Sequence, residues 1–465
     1  MQKQDLDQFR QIVEQLLQKE KTEPIVAPIP ANELWDRLDI SLQERPLADE
    51  QFYDTLAQLV YKTPRTASNK FFNQLFAGRK SRSVLGDLLS IILNNSMYTY
   101  KVAGPMVGVE KEIIHRTASL VGYDQKSDGT IVTGGSLANF MGMVMGRDRY
   151  QESIRDQGVS QKMTLYTSED CHYSIAKNAS LMGTGRDQVR LVKTDEKGRL
   201  MPSDLKNKIE EDLQNGFQPF FVNLTAGTTV MGAFDPIPEV SEICKEHNLW
   251  LHVDGAYCGA VIFSKAYKRL VKGLELADSF NVNAHKMLGT PLTCSVLVVK
   301  DQVNLKRSFS TDADYLYQTD GDDFNLGKTS LQCGRKNDAL KLWTLWKSVG
   351  TEGLEKMVDH QFHLAEVAIK YLRDHPDYTL YSYEDSVSVC FNYKGIDPKK
   401  LCTMLYEEAE LMVGYGTFEA DTFVRFVTIN ADNSEKDIIA FFNDLEAFVA
   451  KHESELIEDT KLSTS

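Results

Sequence analysis

The chain has 465 residues, 42% hydrophobic and 25% charged, a globular composition long enough to bury one large core with smaller attached parts. Its formal net charge of −14 argues against nucleic-acid or anionic-membrane partners and requires a local positive group for any anionic substrate. Seven scattered cysteines with no CxxC pair argue against a disulfide framework or a structural zinc site, and place the protein in a reducing, cytoplasmic compartment with no metal expected.

The N-terminal stretch is polar and Gln-rich, without the apolar core of a signal peptide, and no apolar run is long enough to span a bilayer. Leu6, Phe9, Ile12, Val13, Leu16 and Leu17 predict a helix over residues 5–20, followed by a Pro-containing link over 24–30 and a second helix near 50–62. From about 130 to 300, short apolar runs alternate with helical periodicity. Strands are expected at 129–133, 163–166, 189–192, 220–224, 249–253, 279–282 and 295–299. Leu137, Phe140, Met141 and Val144 mark a helix after the first of these, and Pro238 opens another that carries Val240, Ile243, Cys244 and His247. This alternation predicts an α/β fold with a mainly parallel sheet.

Leu340, Trp343, Leu345 and Trp346 begin a long helix that continues through 370. A βαβ-like tail follows, with strands at 386–391 and 422–429 and helices at 398–410 and 434–451, and the last ten residues are expected to fray. The expected division is an N-terminal helical segment over 1–75, a large domain over 76–345 and a small C-terminal domain over 346–465.

Lys286 follows the run ending Asn283-Ala284-His285, and Asp254 ends the apolar run Leu249–Val253. An amine and a carboxylate at the ends of two buried strands suit pyridoxal phosphate (PLP) chemistry: the amine forms a Schiff base with the aldehyde, and the carboxylate keeps the ring nitrogen protonated. Each alone has an ordinary alternative, a solvated lysine or a capping aspartate. The turn Thr133-Gly134-Gly135-Ser136, between a strand and a helix, allows close backbone approach to a phosphate, or is only a turn. All three at strand C-terminal ends indicate one crevice, where open α/β sheets place ligands. His172 follows the 163–166 strand, as an aromatic over a cofactor ring or a structural histidine. Thr225 to Thr229 offers hydroxyls after another strand. Arg425 interrupts an apolar strand, either salt-bridged or presented to an anion such as a substrate carboxylate. The absence of GxGxxG disfavours a dinucleotide-binding oxidoreductase.

From Phe71 to Glu446 the chain resembles the group II PLP-dependent decarboxylases, in the branch that holds animal-type glutamate decarboxylase and cysteine sulfinate decarboxylase. The resemblance is carried by Asn95-Ser96-Met97-Tyr98-Thr99-Tyr100, Gly134-Gly135-Ser136-Leu137-Ala138-Asn139, Ser168-Glu169-Asp170-Cys171-His172-Tyr173-Ser174, the segment from Thr225 to Pro236, His252-Val253-Asp254, His285-Lys286-Met287, Leu331-Gln332-Cys333-Gly334-Arg335 and Asp338-Ala339-Leu340-Lys341-Leu342-Trp343. It implies the fold type I of PLP-dependent transferases, aspartate aminotransferase-like, with a smaller C-terminal α/β domain, and a homodimer with active sites at the interface. By the same resemblance, Lys286 is the Schiff-base lysine, Asp254 the ring-nitrogen partner and His172 the stacking histidine. Thr228 and Ala256 flank the ring. Gly135, Ser136, Asn283 and His285 hold the phosphate, with Gly334 reaching in from a second subunit. Arg425 takes the substrate carboxylate region.

At three pocket positions Phe76, Ser96 and Tyr98 follow the pattern of the cysteine sulfinate and aspartate enzymes rather than that of the glutamate enzymes. A bulky Phe76 shortens the pocket, and the Tyr98 hydroxyl suits a sulfinate or carboxylate. The implied reaction is decarboxylation of cysteine sulfinate or cysteate to hypotaurine or taurine, or of aspartate to β-alanine, with glutamate the alternative and a PLP aminotransferase or aldolase the competing class. Ala284 stands where the family has proline, and Gly255 where it has alanine, a minor change. The loop between residues 315–318 and Gln332 is a few residues shorter than in relatives. It leaves no counterpart for the tyrosine expected to protonate Cα; Phe324 takes its place, with His172 or water as donor.

Overall fold

Seven runs of alternating or continuous apolar residues form one sheet in the computed structural model, which describes residues 2–26, 28–311, 322–408 and 410–457. The strands are β1 (Asp128–Val132), β2 (Met163–Ser168), β3 (Val189–Val192), β4 (Gln218–Thr225), β5 (Trp250–Gly255), β6 (Ser279–Asn283) and β7 (Ser295–Val299). Their order is β1-β7-β6-β5-β4-β2-β3. The pairs β2/β3, β2/β4, β4/β5 and β5/β6 are parallel, and β7 runs antiparallel to both β1 and β6. Strands covered on both faces read as near-continuous apolar runs, as all but the edge strand β3 do; β3 is visible by its Val189, Leu191 and Val192. The α/β, mainly parallel architecture expected from the alternation is present.

The helix Gly135–Tyr150 follows β1 and lies close to this sheet. Its glycines recur on one face. A methyl group on Gly142 would lie 2.9 Å from the His252 ring, and one on Gly146 2.8 Å from Phe221 and 3.0 Å from Trp250. Missing side chains let the helix backbone approach β4 and β5, so that a polar side chain on the same face, Asn139, reaches the strand ends. A core of Met141, Met143, Met145, Met163, Leu165, Phe220, Phe221 and Trp250 fills the rest of the interface.

The chain divides into two compact units, residues 79–365 with 382–388 and residues 1–78 with 366–381 and 389–465. This differs from the expected three consecutive parts, because the first 78 residues belong with the C-terminal ones. The backbone explains it: Phe72 N donates to Met412 O at 2.8 Å, and Val427 N donates to Phe72 O at 3.1 Å. The Phe72 ring also stacks on Phe426 at 4.4 Å.

The second unit's sheet has the order β10-β11-β9-β8, from β8 (Tyr378–Leu380), β9 (Ser388–Tyr393), β10 (Gly414–Phe418) and β11 (Asp421–Val427). The expected strand, helix and strand are present as β9, the helix Pro398–Glu407 and β11, and two further strands join them through the antiparallel pairs β10/β11 and β8/β9. Only β9 and β11 carry apolar runs. The edge strand Gly-Tyr-Gly-Thr-Phe has no alternation to reveal it. The long helix spans Ala339–Asp374 and is broken by Gly350 at φ 67°. Of the residues expected to fray, Leu456 is buried, and 458–465 lie outside the described residues. Residues 315–318, which open the shortened loop, lie outside them too. No helix among the described residues is long and apolar enough to cross a membrane.

Candidate active site

Five chain segments end on one cavity of about 200 Å³: the start of the helix Gly135–Tyr150, the loop after β2, the turn after β4, and the C-terminal ends of β5 and β6. Eight of the predicted residues line it, namely Gly135, Ser136, His172, Asp254, Ala256, Asn283, His285 and Lys286. Asn139, Tyr173, Thr225, Gly227, Thr229 and Tyr257 complete the wall. The threonines lay within a segment already singled out. Asn139 and Tyr257 were missed, although Asn139 carried a signal: an amide on the glycine face of an otherwise apolar helix.

Period-two alternation puts Trp250, His252 and Asp254 on one face of β5. Asp254 is 4% exposed. A buried carboxylate needs donors, and it has two: Asn139 Nδ2 at 2.7 Å and Ala256 N at 3.0 Å. The His172 imidazole is held down from its ordinary range chiefly by burial; Asp254 opposes this and Lys286 reinforces it. Its Nδ1 lies 2.8 Å from Ser174 Oγ.

Lys286 is half-buried, with Nζ 5.9 Å from the centre of the Tyr257 ring. Its backbone is set by a tight turn in which Lys286 N donates to Asn283 O at 3.1 Å and Gly289 N to Lys286 O at 3.1 Å. Ala284 N donates to Cys294 O at 2.9 Å, a bond that the family's proline has no N–H to make. Cys294 N donates to His285 Nδ1 at 2.9 Å, and burial pushes the His285 imidazole down to about 4. Cys294 O lies 3.0 Å from the same nitrogen.

The other predicted residues are not among those lining this cavity. Thr228 is buried and its Oγ1 accepts from Ala233 N at 3.0 Å, closing the turn after β4. Ser96 and Tyr98 are knitted to the segment that contains Gly334: Ser96 Oγ donates to Cys333 O at 3.2 Å, Met97 N to Arg335 O at 2.9 Å and Gly327 N to Tyr98 O at 2.8 Å. A side chain on Gly327 would overlap the Tyr98 ring. Phe76 and Arg425 belong to the other unit, where Arg425 Nη2 donates to Asn73 O at 2.9 Å and the Phe76 ring is 6.2 Å from Phe71. Phe324 sits 5.7 Å from the Tyr100 ring and 5.8 Å from Lys111 Nζ.

The cavity's chemistry suits PLP. Asn283 Oδ1 and Thr225 Oγ1 are buried in its wall without a protein partner, which marks a place for a polar ligand. A methyl group on Gly135 would lie 2.9 Å from the Ala256 side chain, so the backbone closes directly on the site. There the first turn of a helix offers free N–H groups to an anion. An amine, a carboxylate and a neutral imidazole share the remaining wall. No cluster of His, Cys, Asp or Glu among the described residues is arranged to hold a metal ion.

Residues 30–394 match the sequence family described as the pyridoxal-dependent decarboxylase conserved domain. The chain is 35% identical over 440 residues to the cysteine sulfinic acid decarboxylase of Homo sapiens, with 89% of each chain covered. It is 36% identical over 370 residues to the acidic amino acid decarboxylase GADL1 of Mus musculus, covering 78% of this chain and 67% of that one. Among solved structures, that of mouse CSAD superposes with a TM-score of 0.90 at 32% identity, over 95% of this chain and 97% of that one.

Proposed function

Because this chain belongs to the pyridoxal-dependent decarboxylase family, and so is a PLP-dependent carboxy-lyase of fold type I, we propose that it removes the α-carboxylate of a short acidic amino acid. Cysteine sulfinate, cysteate and aspartate are the substrates favoured. The observation that carries the reading is the meeting of Lys286, Asp254, His172 and the Gly135 helix start on one small cavity. The relatives named above as acting on cysteine sulfinic acid and on acidic amino acids support the substrate class. Phe76, Ser96, Tyr98 and Arg425 are proposed as the substrate-selecting side chains on their sequence pattern.

PLP, when bound, supplies an electron-accepting ring attached to the substrate nitrogen. In the proposed mechanism Lys286, the amine in the cavity wall, would hold the cofactor through its aldehyde. Asp254, fixed by two N–H donors, keeps a proton on the ring nitrogen and so favours electron flow into the ring. Gly135, Ser136, Asn283 and His285 hold the phosphate. His172, neutral at physiological pH because of its burial, forms a flat wall beside the ring.

We propose further that the protein works as a homodimer. The helix Ser81–Leu93 exposes Leu85, Leu88, Leu89, Ile91, Ile92 and Leu93 together, an aliphatic surface that a second copy would bury. Gly334 is proposed to act from that second copy. All seven cysteines are free thiols, in keeping with a cytoplasmic location.

A panel of cysteine sulfinate, cysteate, aspartate and glutamate, assayed for released CO2 with Lys286→Ala as the blank, tests the reading. Turnover of the first three is expected to exceed that of glutamate. A strong preference for glutamate overturns the substrate assignment, and amino-group transfer without CO2 overturns the reaction.

A further inference from the structure

From Asn139 in the cavity wall, a line of buried polar side chains runs beneath Asp254 through the apolar layer between β5, β6 and the helix Gly135–Tyr150. Trp250 and Ser279 are fully buried, as are His252 and Asn139 at 0% and 1% exposure. Parallel pairing sets His252 of β5 opposite Ser279 of β6. Trp250 Nε1 lies 2.9 Å from Ser279 Oγ, which is 2.8 Å from His252 Nδ1, and His252 Nε2 is 3.1 Å from Asn139 Oδ1. Asn139 Nδ2 then reaches both Asp254 Oδ2 at 2.7 Å and Ser174 Oγ at 3.1 Å. Ser174 Oγ is 2.8 Å from His172 Nδ1, to which the Ser174 backbone N–H also donates at 3.3 Å.

The direction of every bond can be read from its two ends. An indole N–H only donates, so Ser279 Oγ accepts from Trp250 and its own proton is left for His252 Nδ1. At the other end a carboxylate only accepts, so Asn139 must turn its NH2 toward Asp254 and its carbonyl toward His252. That carbonyl requires a proton on His252 Nε2. Both ends therefore demand the same neutral Nε2–H tautomer. Burial, the larger influence, pushes the His252 imidazole down to about 4 and keeps it neutral. The second Asn139 N–H goes to Ser174, whose proton is then directed at His172 Nδ1. All the protons are used.

We propose that Asn139 is a positioning residue, through which one hydrogen-bond line rooted at Trp250 and His252 fixes the orientation of Asp254 and backs the Ser174 hydroxyl, which with its own backbone N–H sets the tautomer of His172. A line of this kind is otherwise costly to bury, and the sequence makes room for it: Gly142 carries no side chain where the His252 ring lies. With Nδ1 supplied by Ser174, His172 meets the cavity as a neutral ring protonated on Nε2. It is then a hydrogen-bond donor and not the source of a proton for Cα. The inference rests on Asp254 and His172 facing the cofactor, as proposed above.

The test is histidine-selective ¹⁵N NMR of the holoenzyme, with two of the nine histidine signals assigned by their loss in His172→Gln and His252→Gln. Both imidazoles are expected neutral, with the proton on Nε2. In Asn139→Leu, His172 is expected to keep its Nε2 proton through the Ser174 backbone N–H, while PLP dissociation measured by dialysis is expected to rise on the order of tenfold, as for a lost bond to a charged group. His252→Gln, which keeps an N–H near the place of Nε2, is expected to retain the cofactor better than His252→Leu. A wild-type His252 protonated on Nδ1 overturns the proposal, and so does PLP dissociation unchanged in Asn139→Leu. The wild-type spectrum decides even where a variant fails to fold. Correct tautomers in a protein that releases CO2 from no acidic amino acid would refute the substrate reading alone.

Discussion

Gly255 was expected to be a minor departure from the family's alanine, and its surroundings contradict that. A methyl group there would overlap the Phe280 ring and the Asn281 carbonyl oxygen. Gly255→Ala is therefore expected to cost about 1–3 kcal/mol through overpacking against a backbone atom that cannot swing away, read as a lowered denaturant midpoint; an unchanged midpoint would mean that β5 and β6 yield more easily than their register suggests. Two imidazoles set an acid limit. His252 and His285 are pushed from the usual histidine range down to about 4, both chiefly by burial. Between pH 6.5 and 4 the unfolded chain binds protons there that the folded chain refuses, so these sites make stability fall as pH falls. Asp235, pushed up to about 7 by burial, binds its proton more tightly when folded and offsets part of that loss over the same window. His172 is lowered by burial as well and Asp278 raised by it; with three imidazoles against two carboxylates, denaturant midpoints are expected to rise from pH 4.5 to 6.5, and a falling profile would contradict the assignment of neutral buried imidazoles.

The segment that carries Ser96 and Tyr98 is held by a buried ion pair. Arg335 Nη1 lies 2.6 Å from Glu110 Oε1 and also donates to Ile131 O at 2.8 Å, and both side chains are almost fully buried. Removing one partner leaves the other charge stranded, so Glu110→Gln is expected to cost about 3 kcal/mol and to disturb substrate selection through residues 96–98. A substrate panel on the folded variant checks the second half; unchanged selectivity would separate these residues from the substrate. The exposed aliphatic helix makes its own prediction. Leu89→Asp with Ile92→Asp is expected to yield a monomer by light scattering, without CO2 release. A dimer that survives both charges would place the interface elsewhere.

Over the whole molecule a net charge of −14 repels the anions it is proposed to use. Added salt screens that repulsion, so kcat/KM for cysteine sulfinate is expected to rise about two- to threefold between low and physiological ionic strength. A steady fall would mean that local cations dominate the approach. The two compact units also make the N-terminal 78 residues part of the C-terminal body rather than an appendage. Deleting them would strip Phe72 from Phe426 and Phe441.

The seven strands of the large sheet, the glycine turn and the pair Asp254 and Lys286 were legible in the amino-acid order, because strands buried on both faces must be apolar throughout and a polar residue at their ends stands out. Family resemblance added roles to those positions. The edge strand β10, the joining of residues 1–78 to the last hundred and the cost of a methyl group at Gly255 were not legible, since each depends on which distant atoms lie within a few ångströms. The same holds for Asn139. Its place in a helix was predictable, but only the packing of that helix on β5 and β6 brings Trp250, Ser279, His252 and Asp254 into one line. Hydrogen bonds act over about 3 Å, and that proximity is a property of the fold.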